Sequence, residues 1–242
     1  MTMDTLEQTF TVKTYDCHPD GLMKLSALMQ QFQEIASVHA QQLNFGSDRL
    51  DEINCYWVLT NLRIEFEKLP QWNDAVTLQT WPSGHNRILA TREFQGRDET
   101  QNELFRAASQ WMILDKKSNR PKNLIRLDID LLDAGPRVFD AELTRLEPQM
   151  QYTHQGSIRV SYSALDLNGH VNNTEYVRWA LDSLHQHFDL PAQIHSLQIS
   201  YLAEAFENDT LDLQLAQKDN RSFVLGCKTD DKSNVFILEI NH

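Results

Sequence analysis

Apolar residues along the chain switch between two periods, and the switch happens twice. In the first half Leu22, Leu25, Leu28/Met29, Phe32 and Ile35/Ala36 recur at steps of three and four, the spacing that lines one face of an α-helix. In the second half Tyr176/Val177, Ala180/Leu181 and Leu184 do the same. A short alternating run precedes each helix: Phe10 and Val12 in the first half, Ile158, Val160 and Tyr162 in the second. Beyond each helix the period drops to two, as in Leu62, Ile64, Phe66 and Val76, Leu78, then Leu197, Ile199, Tyr201, Leu211, Leu213, Leu215, Phe223, Leu225, Cys227 and Val235, Ile237. The pattern predicts, in each half, one long helix followed by about four antiparallel strands with a single buried face. A curved sheet wrapped round a helix satisfies it, which places the chain in the α+β class.

The halves also echo one another in sequence. Leu62-Arg63-Ile64-Glu65-Phe66 matches Leu197-Gln198-Ile199-Ser200-Tyr201 at an offset of 135, and the segment from Asn73 to Gln79 matches that from Asn208 to Gln214 at the same offset. Asn86-Arg87 recurs as Asn220-Arg221 at 134, and Ile113-Leu114-Asp115 as Ile237-Leu238-Glu239 at 124. Four echoes in one order predict a duplicated unit. The expected boundaries are an N-terminal copy over 1–118, a Lys- and Pro-bearing linker over 119–154 and a C-terminal copy over 155–242.

Composition narrows the class. Lys and Arg number 22 against 34 Asp and Glu, a net charge of −12, so general attraction to nucleic acid or to an anionic membrane is not expected. No apolar run approaches the roughly 20 residues that span a bilayer. The N-terminal residues lack the basic and apolar regions of a secretory signal, and the three cysteines, Cys17, Cys55 and Cys227, suit free thiols in a reducing compartment. A cytoplasmic protein is the expectation, as a monomer or a homodimer. An acidic partner would need a local basic patch, and five basic residues fall between Lys116 and Arg126. An exposed linker kept soluble by charge accounts for the same run.

The densest polar cluster, Asp166 to Tyr176, lies directly before the second helix. Asn172 with Glu175 fits a capping box, and a helix start explains Asn172, Asn173 and Glu175. It does not explain Asp166, Asn168 and His170, whose i, i+2, i+4 spacing can aim three side chains to one side near free helical N–H groups. Matching Gly21 to Gly169 sets them opposite His18, Asp20 and Leu22, and Glu204 opposite Leu69, so only the second copy carries the set. Strand parity sets one condition. Glu204 would face away from Leu197, Ile199 and Tyr201 unless the ladder bends.

The segment Leu165-Asp166-Leu167-Asn168-Gly169-His170-Val171-Asn172-Asn173 with Tyr176 closely resembles the motif of the acyl-ACP thioesterases of plants and bacteria. Trp57, Pro70, Trp72, Thr80-Trp81, Arg92, Trp111 and Arg120-Pro121 extend the likeness through the first half. The resemblance implies a tandem hot-dog fold, hydrolysis of the thioester between a fatty acyl chain and acyl carrier protein, and no metal or organic cofactor. Carried over by position, it implies Asp166, Asn168 and His170 as the catalytic loop and Glu204 as the catalytic carboxylate. Plant members carry Cys after that Glu; here the position is Ala205, so a thiol nucleophile is not available there. The first copy, without these groups, is expected to hold the acyl chain, with Leu22, Met23, Leu25, Met29 and Phe32 as lining or simply as core. Lys116, Lys117, Arg120 and Lys122, or Arg87 and Arg92, would meet the acidic carrier. An acyl-CoA thioesterase, a dehydratase of the same fold and a non-catalytic acyl binder remain alternatives. Gly-x-Ser-x-Gly and phosphate-loop motifs are lacking, and His185-x-His187 does not share a helix face.

Overall fold

Two units divide the chain, Met1–Leu143 and Thr144–His242. The computed structural model describes residues 5–127, 135–148, 150–188 and 193–242. The first unit runs β1 (Leu6–Thr11), α1 (Leu25–Gln42), α2 (Ser47–Glu52), β2 (Cys55–Phe66), β3 (Ala75–His85), β4 (Leu89–Arg97) and β5 (Glu103–Asp115), with antiparallel strands in the order β1-β3-β4-β5-β2. The second runs β6 (Thr153–Arg159), α3 (Asn173–His187), β7 (Ser196–Tyr201), β8 (Thr210–Lys218), β9 (Arg221–Lys228) and β10 (Asn234–Asn241), ordered β6-β8-β9-β10-β7. Both units therefore share one topology. Among the described residues no helix is long and apolar enough to cross a membrane.

The helices form where the apolar stripe is continuous. Leu25, Leu28, Met29, Phe32, Ile35 and Ala36 of α1 are buried, and α1 ends where Asn44 turns left-handed (φ 58°). There the Phe45 N–H donates to the Ala40 carbonyl (3.0 Å) and the Asn44 N–H to that of Gln41 (3.1 Å), a Schellman closure. Leu22 lies outside the helix, in a bridge with Gln71. Tyr162 is likewise displaced from its expected strand. It sits in a 3₁₀ turn with its side chain exposed, because β6 ends at Arg159.

Local details repeat with the sequence. Asn73 and Asn208 both have φ 70°, and Gly21 (φ 83°) and Gly169 (φ 77°) hold matching turns. The echo at offset 124, however, is coincidental. Phe66 pairs with Phe105 and Tyr201 with Phe236, so Ile237, opposite Ser200, corresponds to Arg106, opposite Glu65, and not to Ile113. In each unit a glycine makes room for one of these phenylalanines. A Cβ on Gly96 would lie 2.1 Å from the Phe105 ring, and one on Gly226 would lie 2.1 Å from that of Phe236. Phe105 meets Phe32 of α1 at 5.6 Å between ring centres, and Phe236 meets Tyr176 of α3 at 5.2 Å.

The stretch expected as a linker is shared between the units. Trp81 Nε1 donates to the Pro136 carbonyl (2.9 Å), and Phe139 lies under the guanidinium of Arg63 (4.6 Å) in the first unit. In the second, the Leu146 N–H donates to Ser200 Oγ (2.9 Å), while Leu146 and Tyr152 pack on Leu225, Cys227 and Ile237. These apolar anchors outweigh the local charge.

Asp212 ties β6, β8 and the β9–β10 turn together, accepting from Ser157 (2.7 Å), Thr229 (2.8 Å) and Lys232 (2.8 Å). The Lys232 contact, then the two hydroxyls, hold its carboxyl well below its usual value. A folded pKa depressed in this way adds stability above the unfolded value of 3.8, and that stability is lost as pH falls through and below it. Asp212→Asn should therefore lower the unfolding free energy by about 1–3 kcal/mol at pH 7, with the difference from the parent shrinking below about pH 4. Thermal melts from pH 7 to 3 check this; a constant gap at all pH values would refute the ionic role.

Candidate active site

The loop from Asp166 to His170 is shaped by one carboxylate. Asp166 Oδ1 accepts the backbone N–H of Asn168 (2.8 Å) and of His170 (3.2 Å), and Gly169 closes the turn by donating to the Asp166 carbonyl (3.0 Å). In the first unit Asp20, opposite Asn168, does the same for Leu22 (2.9 Å). Helix α3 starts at Asn172, whose side chain caps the Thr174 N–H (3.0 Å). The expected reciprocal half of the capping box is not what engages Glu175; its carboxylate takes Arg178 Nε at 3.0 Å.

A hydrogen bond and a bridge set the partner strand end. The Val171 N–H donates to the Ala205 carbonyl (2.9 Å), and His170 pairs with Phe206 across an antiparallel bridge. The matching bridge in the first unit joins Leu22 to Gln71, so Leu22 and Leu69 stand where the second unit has His170 and Glu204. Parity would have turned Glu204 away, but the ladder bends. β7 stops at Tyr201, and the N–H groups of Leu202 (2.7 Å) and Ala203 (3.2 Å) both donate to the single carbonyl of Val235. Two residues then face one partner, which resets the alternation.

As a result Glu204 Oε1 lies 3.3 Å from His170 Nδ1, both side chains about a quarter exposed. The Phe206 ring stands edge-on to the imidazole at 5.0 Å. Beneath them Tyr176 is buried and hydrogen bonds the Ala205 backbone, and desolvation pushes its phenol above the ordinary range. Burial also raises the thiols of Cys55 and Cys227, which keeps them protonated at neutral pH.

The remaining sequence-predicted residues fall elsewhere. Met23, Leu25, Met29 and Phe32 are buried in the first unit, where Phe32 stacks on Phe94 at 4.7 Å. Neither they nor Leu22 line the apolar cavity of that unit, which holds about 100 Å³ between Ala36, Ala40, Phe45, Trp57, Arg92 and Trp111. Lys116 pairs with Asp51 (2.5 Å) and Lys122 with Asp115 (2.7 Å), whereas Lys117 and Arg120 are exposed. Arg92 cannot meet a partner protein. It is 6% exposed, donates to His39 Nδ1 (3.0 Å) and Thr80 Oγ1 (3.2 Å), and burial lowers its pKa to about 10. Next to it in sequence Glu93 is also buried, bound by Ser83 (2.5 Å), with its pKa raised by desolvation. Nothing in the alternation of β4 singled out this charged pair.

Comparison with known proteins adds to the geometry. The chain is 25% identical to oleoyl-acyl carrier protein thioesterase 1 of Arabidopsis thaliana, a chloroplastic protein, over 85% of this chain and 62% of the relative. It is also 25% identical to the palmitoyl-acyl carrier protein thioesterase of the same plant, over 97% of this chain and 59% of that one. The chain thus spans about three fifths of the length of these relatives. Among solved structures, an acyl-ACP thioesterase from Bacteroides thetaiotaomicron superposes with a TM-score of 0.84 at 23% identity, covering 98% of this chain and 97% of the other. The 12:0-ACP thioesterase from Umbellularia californica gives 0.81 at 21%, covering 98% and 96%. The fold is accordingly a tandem hot-dog of the α+β class. The profile of the acyl-ACP thioesterase N-terminal domain matches residues 3–129, and that of the C-terminal domain matches residues 147–236. Together they cover most of the sequence, and the chain belongs to the acyl-ACP thioesterase family.

Proposed function

We propose that this protein hydrolyses the thioester of a fatty acyl chain carried by acyl carrier protein, releasing the free acid and the carrier thiol. The observation that supports this most is the 3.3 Å approach of Glu204 to His170 in the one unit that bears both, with leucines at the matching places of the other. In this reading Glu204 receives the Nδ1–H of a neutral His170, leaving Nε2 to take a proton from water. The water oxygen adds to the thioester carbon, the carbonyl oxygen becomes an oxyanion, and the C–S bond breaks as the sulfur recovers the proton from the imidazole. Asp166, committed to two backbone amides, shapes the loop and leaves the choice of tautomer to Glu204. Asn168 and the backbone N–H of Asn173, at the start of α3, are the donors assigned to the oxyanion.

The acyl chain is assigned to the N-terminal unit, at the cavity between α1 and β2 to β5. Ligand pockets run to ~300–1,000 Å³, so about 100 Å³ holds only part of a chain and α1 must yield to a longer one. Filling the cavity with Ala40→Phe should cut turnover of long-chain substrates at least about tenfold more than that of short ones, the order expected for steric loss in a hydrophobic slot. A uniform loss across lengths would move the slot elsewhere.

The test of the reading is thiol release by the purified protein from acyl-ACP and acyl-CoA of several chain lengths. Turnover of acyl-ACP above that of acyl-CoA is the expected result. Tight acyl binding with no thiol released would make it a binder, and preference for the CoA thioesters would change the substrate.

A further inference from the structure

Two exposed turns of the first unit meet at one end of its sheet. In the β3–β4 turn Asn86 Oδ1 accepts the N–H of Ile88 (2.8 Å) and Leu89 (2.9 Å); in the 3₁₀ turn Leu124–Arg126, Asn123 Oδ1 accepts that of Ile125 (3.2 Å). The Leu124 N–H donates to the Arg87 carbonyl (2.9 Å), which locks the turns together, and Leu124 plugs the core beside Leu50, Cys55 and Ile113. Their tips are left outward. Ile88 is 37% and Ile125 66% exposed, among the few large apolar side chains so placed. Arg87 and Arg126, their neighbours in the chain, are exposed, as are Lys117 and Arg120 in the segment that leads from β5 to the 3₁₀ turn, and among the described residues none of the four forms an ion pair. The nearby carboxylates of Asp51 and Asp115 are already engaged by Lys116 and Lys122, and Glu52 by Arg49 (2.6 Å).

We infer that this face, two isoleucines flanked by exposed cations, is the docking surface for the acidic carrier that presents the thioester. An apolar centre inside a charged rim is how protein interfaces divide affinity from steering. The cations stand out because the chain as a whole carries a charge of −12, so an acidic protein is repelled from most of its surface and drawn to this part. Of the cations expected from the sequence, Lys116 and Lys122 drop out as paired and Arg92 as buried, Arg87, Lys117, Arg120 and Arg126 stay, and Ile88 and Ile125 enter.

The inference rests on the proposed thioesterase reading, and the experiment separates the two. Arg87→Glu/Arg126→Glu and, separately, Ile125→Asp are assayed on acyl-ACP and on an acyl N-acetylcysteamine thioester that has no carrier. KM for acyl-ACP should rise at least about tenfold in each, with a shallower salt dependence in the first and KM for the small thioester unchanged. An unchanged KM for acyl-ACP, or an equal rise for both substrates, overturns the docking surface. Calorimetry of holo-ACP binding needs no catalysis. If the parent cleaves no thioester but binds holo-ACP and the variants do not, the catalytic reading fails and the surface stands; no binding by the parent removes the surface. Unchanged melting temperatures show that the exposed substitutions leave the fold intact.

Discussion

His170→Ala should reduce kcat for acyl-ACP hydrolysis by ~10²- to 10⁴-fold, the contribution of a positioned general base, with little change in melting temperature. The side chain is about a quarter exposed, and its contacts include Glu204 and the edge of Phe206, so its removal opens no deep cavity. Glu204→Gln keeps the shape of the site but not its charge. Glutamine can present its NH₂ to Nδ1 and so hold the wrong tautomer, and it cannot stabilise the imidazolium formed as water is deprotonated. Its loss should therefore fall within the same range, and the double variant should be no slower than His170→Ala alone, because both act as one unit. Additive losses would mean that Glu204 takes the proton by itself. Near-normal turnover in either single variant would end the assignment. The 3.3 Å separation is slightly longer than a tight hydrogen bond.

Phe236→Ala should destabilise the protein by about 3–5 kcal/mol, the cost of deleting a fully buried aromatic ring. The side chain is wholly shielded, fills the space left by Gly226, and meets Tyr176 of α3, whose hydroxyl supports the Ala205 backbone beside Glu204. Loss of the ring should accordingly lower activity as well as the melting temperature, through a loosened α3 and Ala205 segment. The converse change, Gly226→Ala, drives a Cβ into the same ring and should cost about 1–3 kcal/mol by overpacking. Phe105 and Gly96 form the corresponding pair in the first unit, whose described contacts include none of the proposed catalytic residues. There Phe105→Ala should cost similar stability and, through α1 and the acyl slot, alter chain-length preference, while kcat on a short-chain substrate falls only as far as the fold is lost. Denaturant midpoints and kcat measured on both variants check this; equal effects on kcat at full folding would remove the distinction.

How much was legible follows from the range of each interaction. The periods of α1, α3 and most strands, the left-handed asparagines at 73 and 208, and the turns at Gly21 and Gly169 are local, and residues within a few positions specify them. The echo at Ile113 misled because three-residue identities ignore ladder register, which the pairing of Phe66 with Phe105 decides. The linker misled because its charges are frequent and its anchors, Phe139, Leu146 and Tyr152, few. Arg92 could not be recognised as buried, since its acceptors, His39 and Thr80, lie on other elements.

The amino-acid order alone determined that the chain is an α+β duplication and that only its second copy carries an imidazole and a carboxylate at places where the first has leucine. Periodicity and the turn residues are encoded within short windows, which makes such features readable without coordinates. Tertiary structure decided that Glu204 faces His170, because that depends on two consecutive amides sharing the carbonyl of Val235, a residue from a different strand. It likewise decided which cations are neutralised and which remain available, since an ion pair such as Lys116 with Asp51 joins residues that only the folded chain brings together.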